Sequence, residues 1–248
     1  MYALSKGRYR AFFTTDERQV ARAQALRARA FVGVNASGEG RDVDAFDARC
    51  QHVLIEDAAS GALVCCFRLL LISEASDVRE SYSAQYYELS ALEYYRGNMV
   101  EMGRFCIDPD LKDPDIQRIA WAAMTQLIDG EGIALLFGCS SFRGTDAEAY
   151  RDVFAQLAGR YLAPPSLMPG VKAEEVVPFA RDLTGWRPDP RKAALTMPTL
   201  LRSYLTLGGW VSDHAVVDRH LGTLHVFTGL EVEGIPESRK RLMRAMAG

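Results

Sequence analysis

The sequence predicts an α/β (α+β) fold in which helices flank a mixed central sheet, and three observations indicate this class. Residues 133–141, IALLFGCSS, form a continuous apolar run that suits a strand buried on both faces. Residues 51–57 and 62–72 are strand-like runs on either side of the short turn AASG, which predicts a hairpin. Apolar residues recur at helical spacing within 16–31 and 113–130. Helices and strands therefore alternate along the chain, as they do in layered α/β proteins.

The composition is that of an ordinary globular protein. The chain has 248 residues, of which 48% are hydrophobic and 25% are charged. This length suits one large domain, and we expect a single domain over residues 1–248. The formal net charge is −3, and no block of Lys and Arg with interleaved aromatic residues occurs. These features argue against a nucleic-acid-binding protein.

Cysteine usage and hydropathy predict a cytoplasmic protein. The five cysteines are odd in number and include no CxxC pair, so reduced thiols are expected. No run of about 18 apolar residues occurs, and the N-terminal segment has no long apolar stretch. We therefore expect neither a transmembrane helix nor a secretion signal.

The first half of the chain predicts one helix, one hairpin and one core strand. Asp16 opens the helix, which continues to Phe31. A loop rich in Gly, Asn and Asp follows over residues 33–47, ahead of the hairpin. Residues 82–95 contain five tyrosines and match neither periodicity, whereas residues 98–107 indicate a core strand.

The second half predicts further helices around the buried strand at 133–141. Asp113 is an N-cap and Pro114 the first helical residue of one helix, which Gly130 and Gly132 end. The later elements are, in order, a helix capped by the box Thr145–Glu148 and reaching about Ala158, an irregular proline-rich insertion at about 160–198, a helix at 199–207, strands at 215–217 and 223–227, and a basic amphipathic tail at about 236–248.

The strand EMGRFCI, residues 101–107, carries the most informative irregularity. Glu101 and Arg104 would point to opposite faces of a regular strand, and a buried charge is costly unless it is paired or used. An interior glycine such as Gly103 often marks a bulge, in which one extra residue is inserted. A bulge at Met102–Gly103 would bring Glu101 and Arg104 to one face and leave backbone N–H groups unpaired.

Such a strand could perform acyl-transfer chemistry. Its free amides could bind an extended amide-rich ligand and polarise a carbonyl, while Glu101 accepts a proton from an attacking amine. A structural Glu–Arg pair at a sheet edge is the alternative explanation of the same residues.

Four features along the chain occur in an order that is typical of one family. They are Arg27 and Phe31 on the first helix, Asp44 and Asp47 (DxxD) in the loop, Arg68 in the second hairpin strand, and Glu101 with Arg104-Phe105 (ExxRF) in the central strand. This order resembles the acyl-homoserine-lactone autoinducer synthases, a branch of the GCN5-related acyltransferase fold. The resemblance implies that these positions line an active site and that the bulged strand holds a thioester and its pantetheine arm.

Two further blocks, GCSSF at 138–142 and LRSYLTLGGWVSDHAVVD at 201–218, are similar to the ornithine lipid synthases. Those enzymes transfer a 3-hydroxyacyl chain from acyl carrier protein to the α-amine of ornithine, which gives lyso-ornithine lipid. The resemblance extends from about residue 9 to about residue 235. Autoinducer synthases carry a Trp shortly after Phe31, where this chain reads VGVNAS, and this departure argues against a homoserine-lactone pocket.

The resemblance implies a role for each matched position. Glu101 is expected to act as the base, and Arg104 to orient it or to hold a substrate carboxylate. The acceptor is expected to contact Arg27, Phe31, Asp44, Asp47, Arg68 and Ser140, and the acyl-pantetheine arm to contact Gly103, Phe105, Cys106, Ile107 and Arg143. For Asp44 and Asp47 two roles remain open: pairing with the acceptor's ammonium group, or anchoring the loop to Arg27 and Arg68.

The segment after the central strand indicates the donor. Residues 108–118, DPDLKDPDIQR, contain four aspartates and no glycine, so they would repel the diphosphate of coenzyme A. An acyl carrier protein presents 4′-phosphopantetheine with a single phosphate, and we expect no bound cofactor. Carrier proteins are acidic, so basic docking residues are expected among Lys112, Arg118, Arg143 and Arg151.

Other interpretations of the sequence stay open. The same chemistry could act on glutamine, or the chain could be an autoinducer synthase. Cys139 could form an acyl-enzyme with His214, His220 or His225 as its base. A metal site among Asp213, Asp218 and these histidines lacks a short-spaced ligand pair, and none is expected. The basic tail could make the chain a non-enzymatic membrane-surface module, or give an enzyme a peripheral contact with the inner membrane.

Overall fold

The computed structural model describes residues 3–31 and 40–247. Residues 32–39, which include the segment VGVNAS and the first part of the predicted loop at 33–47, lie outside the described residues. The chain forms two compact units. The first comprises Met1–Leu71, Val100–Ile133 and Pro236–Gly248, and the second comprises Ile72–Met99 and Ala134–Ile235. The single domain expected from the sequence stays a prediction.

The helices and strands alternate along the chain as the sequence predicts. The strands are β1 (Ala3–Lys6), β2 (Tyr9–Thr14), β3 (Gln51–Asp57), β4 (Leu63–Ile72), β5 (Tyr87–Glu88), β6 (Asn98–Ile107), β7 (Ile133–Arg143), β8 (Gly170–Val171), β9 (Val176–Val177), β10 (Trp210–Asp218) and β11 (Thr223–Glu231). The helices are α1 (Glu17–Ala30), α2 (Pro114–Glu131), α3 (Arg151–Arg160), α4 (Phe179–Asp182), α5 (Pro190–Thr196), α6 (Thr199–Thr206) and α7 (Glu237–Ala247).

In the first unit, one sheet has the strand order β1-β2-β3-β4-β6. The first four strands are antiparallel, and the register aligns Phe12 with Leu54 and Leu54 with Cys66. Because residues directly opposite one another share a face, the side chains of Phe12, Leu54 and Cys66 lie on one face of the sheet. Ala23 and Leu26 of α1 pack against these side chains, so α1 covers that face. The hairpin of β3 and β4 predicted from the sequence is confirmed.

Helix α2 covers the other face of the same sheet. Tyr9 lies three residues before Phe12 on β2, so its side chain is on the opposite face of the sheet. There its hydroxyl donates a hydrogen bond to Asp113 at 2.7 Å. The Asp113 carboxylate also accepts from the Asp115 backbone, which confirms the predicted N-cap. The helix ends at Gly132, whose φ of 60° is left-handed, and Gly130 lies inside the helix rather than at its end.

Helix α7 forms within the predicted basic tail, and it packs along α2. Arg244 binds Asp129 of α2 through two hydrogen bonds of 2.9 Å, and Met243 is buried. One side of the basic tail is therefore part of the first unit's own packing.

In the second unit, β7, β11, β10 and β9 form an antiparallel sheet in that order. Strands β10 and β11 are both longer than predicted. Phe154 of α3 stacks on Phe179 of α4 with ring centroids 5.0 Å apart, in a core that also contains Leu201 of α6. The apolar run predicted as a doubly buried strand is β7.

Two local predictions need correction. The predicted cap by Thr145 is wrong: Asp146, whose side chain accepts from the Glu148 backbone, caps a short 3-10 turn, Ala147–Tyr150. Helix α3 begins directly after this turn and has no side-chain cap of its own. The proline-rich stretch at 160–198 contains β8, β9, α4 and α5, and β8 pairs with β5 from the tyrosine-rich stretch.

The sheet of the second unit has no room for a side chain at Gly229. A Cβ there would lie 2.3 Å from Cζ2 of Trp210, whose ring stacks on Phe227. We expect Gly229→Ala to lower the free energy of unfolding by about 1–3 kcal/mol through overpacking. Gly159→Ala is the control, because a Cβ at this helical position meets nothing within 4 Å. Urea unfolding should show no loss for the control, and equal losses for both variants would contradict the packing argument.

Candidate active site

Strand β6 is irregular close to the predicted position. Arg104 has a φ of 54°, and in the described part of the chain it is the only residue other than glycine with a positive φ. A left-handed residue inside a strand interrupts the regular alternation of side chains. The irregularity predicted for Met102–Gly103 is therefore present, but it is centred on the arginine that follows the glycine.

Three arginines and three aspartates form a closed ring of ion pairs in the first unit, called here the ion-pair ring. Each aspartate bridges two arginines, and each arginine bridges two aspartates. The order around the ring is Arg27, Asp42, Arg104, Asp44, Arg68, Asp47 and back to Arg27.

Arg27 attaches helix α1 to the ring. Its Nε donates to Asp42 at 2.8 Å, and its two Nη atoms donate to the Asp47 carboxylate at 2.7 and 2.9 Å. Gln24, one turn earlier, donates to Asp47 at 3.0 Å. The Arg27 side chain is only 1% exposed, so these aspartates take the place of water around its charge.

Arg68 and Arg104 attach strands β4 and β6 to the same ring. Arg68 donates to Asp44 at 2.7 Å and to Asp47 at 2.7 Å. Arg104 donates to Asp42 and to Asp44, each at 3.0 Å. Arg68 follows Cys66 by two residues and so lies on the face that α1 covers. The ring thus ties one helix, two strands and the loop at 42–47 together.

Arginines keep two carboxylates of the ring, those of Asp47 and Asp44, ionised. Burial by itself would raise the pKa of Asp47, but the hydrogen bond from Arg27 and the charges of Arg27 and Arg68 outweigh burial and hold it well below its ordinary value of 3.8. Burial also opposes ionisation of Asp44, and the hydrogen bond and charge of Arg68 again lower its pKa. Both aspartates are therefore charged at neutral pH.

Glu101 is buried beside the ring, with 4% of its surface exposed. Burial raises the pKa of the Cys50 thiol to about 11, and Cys50 lies close enough to Arg68, Glu101, Asp47 and Asp44 to be affected by all four charges. Glu101 is therefore in the neighbourhood of the ring, of which Arg104 is a member. Cys50 stays protonated and is no nucleophile.

The ring shows one of the two roles expected for Asp44 and Asp47, the anchoring of the loop. Asp47 binds Arg27 and Arg68, and Asp44 binds Arg68. Pairing with the acceptor's ammonium group stays a prediction. Asp42 was not predicted, although it stands two residues before Asp44 in the loop. The sequence RDVDAFD at 41–47 could have indicated it, because Asp42 is a third acid that can pair with the third arginine, Arg104.

The apolar residues predicted for the site lie around β6. Phe105 stacks on Phe67 of β4 with ring centroids 5.7 Å apart. Cys106 is buried, with its sulfur 3.6 Å from that of Cys66, and Phe31 packs against the same core cluster. The Cys106 side chain therefore belongs to the core under α1, and a contact with an acyl arm would use its backbone.

The remaining predicted residues do not join the ring. In the second unit, Ser140 is buried and its hydroxyl accepts from Thr228 at 2.9 Å, and Arg143 is exposed. Arg151 of that unit pairs with Glu148 and lies 4.7 Å over the Trp186 ring. In the first unit, Lys112 is exposed and Arg118 is exposed and pairs with Asp115 at 2.6 Å.

Two of the three histidines proposed as bases for Cys139, His225 and His214, have other partners in the second unit. Nδ1 of His225 lies 3.1 Å from the Tyr87 hydroxyl, and burial lowers the pKa of this histidine to about 4. Nδ1 of His214 lies 2.7 Å from Asp213. Across residues 3–31 and 40–247, no group of three His, Cys, Asp or Glu side chains is placed to hold a metal ion. Nor does any helix in these ranges have both the length and the apolar character needed to cross a membrane.

Comparisons with known proteins agree with this geometry. A family model described as the acetyltransferase (GNAT) domain matches residues 26–122. L-ornithine N(alpha)-acyltransferase from Rhodobacter capsulatus is 30% identical over 239 residues, which cover 91% of this chain and 90% of that protein. The enzyme of the same name from Brucella abortus is 31% identical over 205 residues, which cover 79% of this chain and 72% of that protein.

A solved structure shows the same fold. The N-acyl amino acid synthase FeeM from uncultured soil microbes superposes with a TM-score of 0.50 at 10% identity, covering 92% of this chain and 94% of that one. Fold and family match together define an acyltransferase of the GNAT type. Within this class, the chain belongs to the L-ornithine N(alpha)-acyltransferase family. The predicted fold class and family are thus confirmed, and the non-enzymatic membrane module is excluded.

Breaking the ion-pair ring should destabilise the protein in a pH-dependent way. Asp47→Asn leaves Arg27 and Arg68 buried with too little negative charge, so we expect a loss of about 3–5 kcal/mol of unfolding free energy at pH 7. Because the pKa of Asp47 is lowered in the folded state, its contribution is present above its ordinary value of 3.8 and is lost as the pH falls below that value.

Urea unfolding between pH 3 and pH 7 measures this contribution. The difference between wild type and Asp47→Asn should shrink below about pH 4. Asp110→Asn, at an exposed aspartate of the same unit, is the control and should cost less than about 0.5 kcal/mol. A difference that stays constant down to pH 3 would contradict the assignment.

Proposed function

We propose that this enzyme transfers a 3-hydroxyacyl chain from acyl carrier protein to the α-amine of ornithine, giving lyso-ornithine lipid. The observation that carries the proposal is the buried Glu101, which lies beside a charge-balanced ring and three residues before the left-handed Arg104. A carboxylate next to an interrupted strand provides a proton acceptor and backbone N–H groups in one place. The names of the two relatives support ornithine as the acceptor.

In the proposed reaction, Glu101 takes a proton from the acceptor's α-ammonium, directly or through a water. The amine nitrogen attacks the thioester carbonyl and forms the C–N bond, while backbone N–H groups after Gly103 stabilise the oxyanion. The intermediate then breaks its C–S bond. The second proton of the nitrogen leaves with the pantetheine sulfur as the thiol, and Glu101 returns its proton to water.

The segment before α2 supports a carrier-protein donor. Asp113 caps the helix, Asp115 pairs with Arg118, and Asp108 pairs with Arg29, so all three carboxylates are held near the N-terminus of α2. Acidic groups at this position repel a diphosphate. The proposed docking residues for the acidic carrier are Lys112, Arg118 and Arg151, with Arg143 near the acyl-pantetheine arm.

Lipid mass spectrometry tests the function in a host that lacks aminolipids. Expression of the wild-type protein should yield lyso-ornithine lipid, and Glu101→Gln should abolish it because the amide cannot accept the proton. Glu74→Gln, at an exposed glutamate whose side chain caps nothing, is the matched control and should produce lipid at the wild-type level.

Circular dichroism should show the same fold for the wild type and both variants. Full lipid production by Glu101→Gln would overturn the base assignment. If the wild type produced acyl-glutamine or an acyl-homoserine lactone instead, the proposal that ornithine is the acceptor would be wrong.

The tail is proposed as a peripheral membrane contact for the lipid product. Met243 and Arg244 are used inside the first unit, whereas Arg239, Arg241 and Leu242 are exposed on α7. Basic side chains beside an exposed leucine suit the surface of an anionic bilayer. Substitution of these residues is a sharper test than deletion, because deletion would also remove the packing of Met243.

Liposome flotation measures this contact. Arg239→Glu/Arg241→Glu should reduce flotation with anionic vesicles, since each basic residue contributes about 1 kcal/mol at such a surface. Arg187→Glu/Arg191→Glu reverses two exposed charges elsewhere and should float like the wild type. Equal flotation of both double variants would contradict the tail contact.

A further inference from the structure

The backbone of Arg104 must be held in place by its surroundings. A φ of 54° in a residue other than glycine is strained and persists only where neighbouring contacts fix it. Two such contacts come from its own side chain. Nε donates to Asp42 and Nη2 donates to Asp44, both at 3.0 Å. These aspartates are therefore candidates for the groups that maintain the irregular strand.

The two aspartates are anchored differently. Asp44 accepts two hydrogen bonds from Arg68 of the neighbouring strand β4, and 22% of its side chain is exposed. Asp42 is 7% exposed and is bound to helix α1 by Arg27 Nε at 2.8 Å and by its own N–H, which donates to the Gln24 carbonyl at 3.1 Å. Asp42 thus connects Arg104 to the helix, and Asp44 connects it to the sheet.

Loss of Asp42 would open the ion-pair ring at one point only. Arg27 would keep its bonds to Asp47, and Arg104 would keep its bond to Asp44. An amide of the same shape at position 42 should therefore allow folding. It would change the charge balance of the ring and the strength with which α1 holds Arg104.

We propose that Asp42 is a positioning residue for the acyl transfer. Anchored to helix α1, Asp42 holds Arg104 in its left-handed conformation and thereby fixes the position of Glu101 on the same strand. This inference rests on the proposed function, in which Glu101 takes the proton of the amine. Asp42 touches neither substrate in this role and acts through Arg104.

The pH dependence of the activity distinguishes this role of Asp42 from a purely structural one. The Cys50 thiol is reached by the charge of Glu101 and also by those of Arg68 on β4 and of Asp47 and Asp44 in the loop, so these groups lie in one region. Arg104 is on the same strand as Glu101 and binds Asp42 and Asp44. Without the charge of Asp42, one positive charge of the ring is unbalanced. A nearby positive charge disfavours protonation of a carboxylate, so the acidic limb of the activity profile should move to lower pH.

Steady-state kinetics with ornithine and an acyl-carrier-protein donor test the inference. Asp42→Asn should lower kcat by about 10- to 100-fold through misplacement of the strand, while the KM for ornithine changes by less than about threefold. Its acidic limb should move down by about half a pH unit. Asp42→Glu restores the charge and should return that limb to the wild-type position, even where kcat recovers only in part.

Asp57→Asn is the matched control. Asp57 also binds an arginine of the first unit, Arg8, at 2.8 Å, but it lies outside the ion-pair ring. The Asp57→Asn variant should therefore have the wild-type kcat and the wild-type acidic limb. Wild-type kcat and an unmoved limb in Asp42→Asn would overturn the inference, as would failure of both Asp42 variants to fold. A wild-type protein that transfers no acyl group to ornithine would instead overturn the proposed function.

Discussion

Arg27 carries a buried positive charge into the contact between helix α1 and the sheet, and the rest of the candidate site is arranged around that charge. Water cannot reach a guanidinium that is 1% exposed, so Asp42 and Asp47 must solvate it. These acids belong to a loop, and the loop therefore has to lie against α1. Once there, its acids also meet the arginines of β4 and β6.

A closed ring distributes this requirement over several elements. Each aspartate serves two arginines, so removing any one member leaves two opposite charges short of a partner. Breaking a buried pair costs more than forming it gains, because the remaining charge stays desolvated. The ring consequently favours one arrangement of helix, loop and strands. That arrangement includes the strained backbone of Arg104, whose energetic cost the ring can offset.

Local rules predicted much of this fold, because caps and hairpins depend on neighbouring residues. Asp113 caps α2 as predicted, the first predicted helix begins at Asp16 with this residue as its N-cap, and the hairpin of β3 and β4 forms around the turn AASG. The pattern also placed the irregularity of β6 near Gly103. It could not locate Arg104 as the left-handed residue, because the contacts that stabilise this φ come from Asp42 and Asp44, far away in the sequence. Asp42 itself was missed because acids in a loop show no periodicity.

The ring also limits what Arg104 can do for a substrate. A carboxylate of the acceptor that bound this arginine would have to displace Asp42 or Asp44 and leave the displaced carboxylate short of a partner. Exchange of one carboxylate for another gains little, while the opened pair costs about 3–5 kcal/mol. Orientation of the strand is therefore the role of Arg104 that its contacts support. A carboxylate of the acceptor would then have to be bound by groups outside the ring.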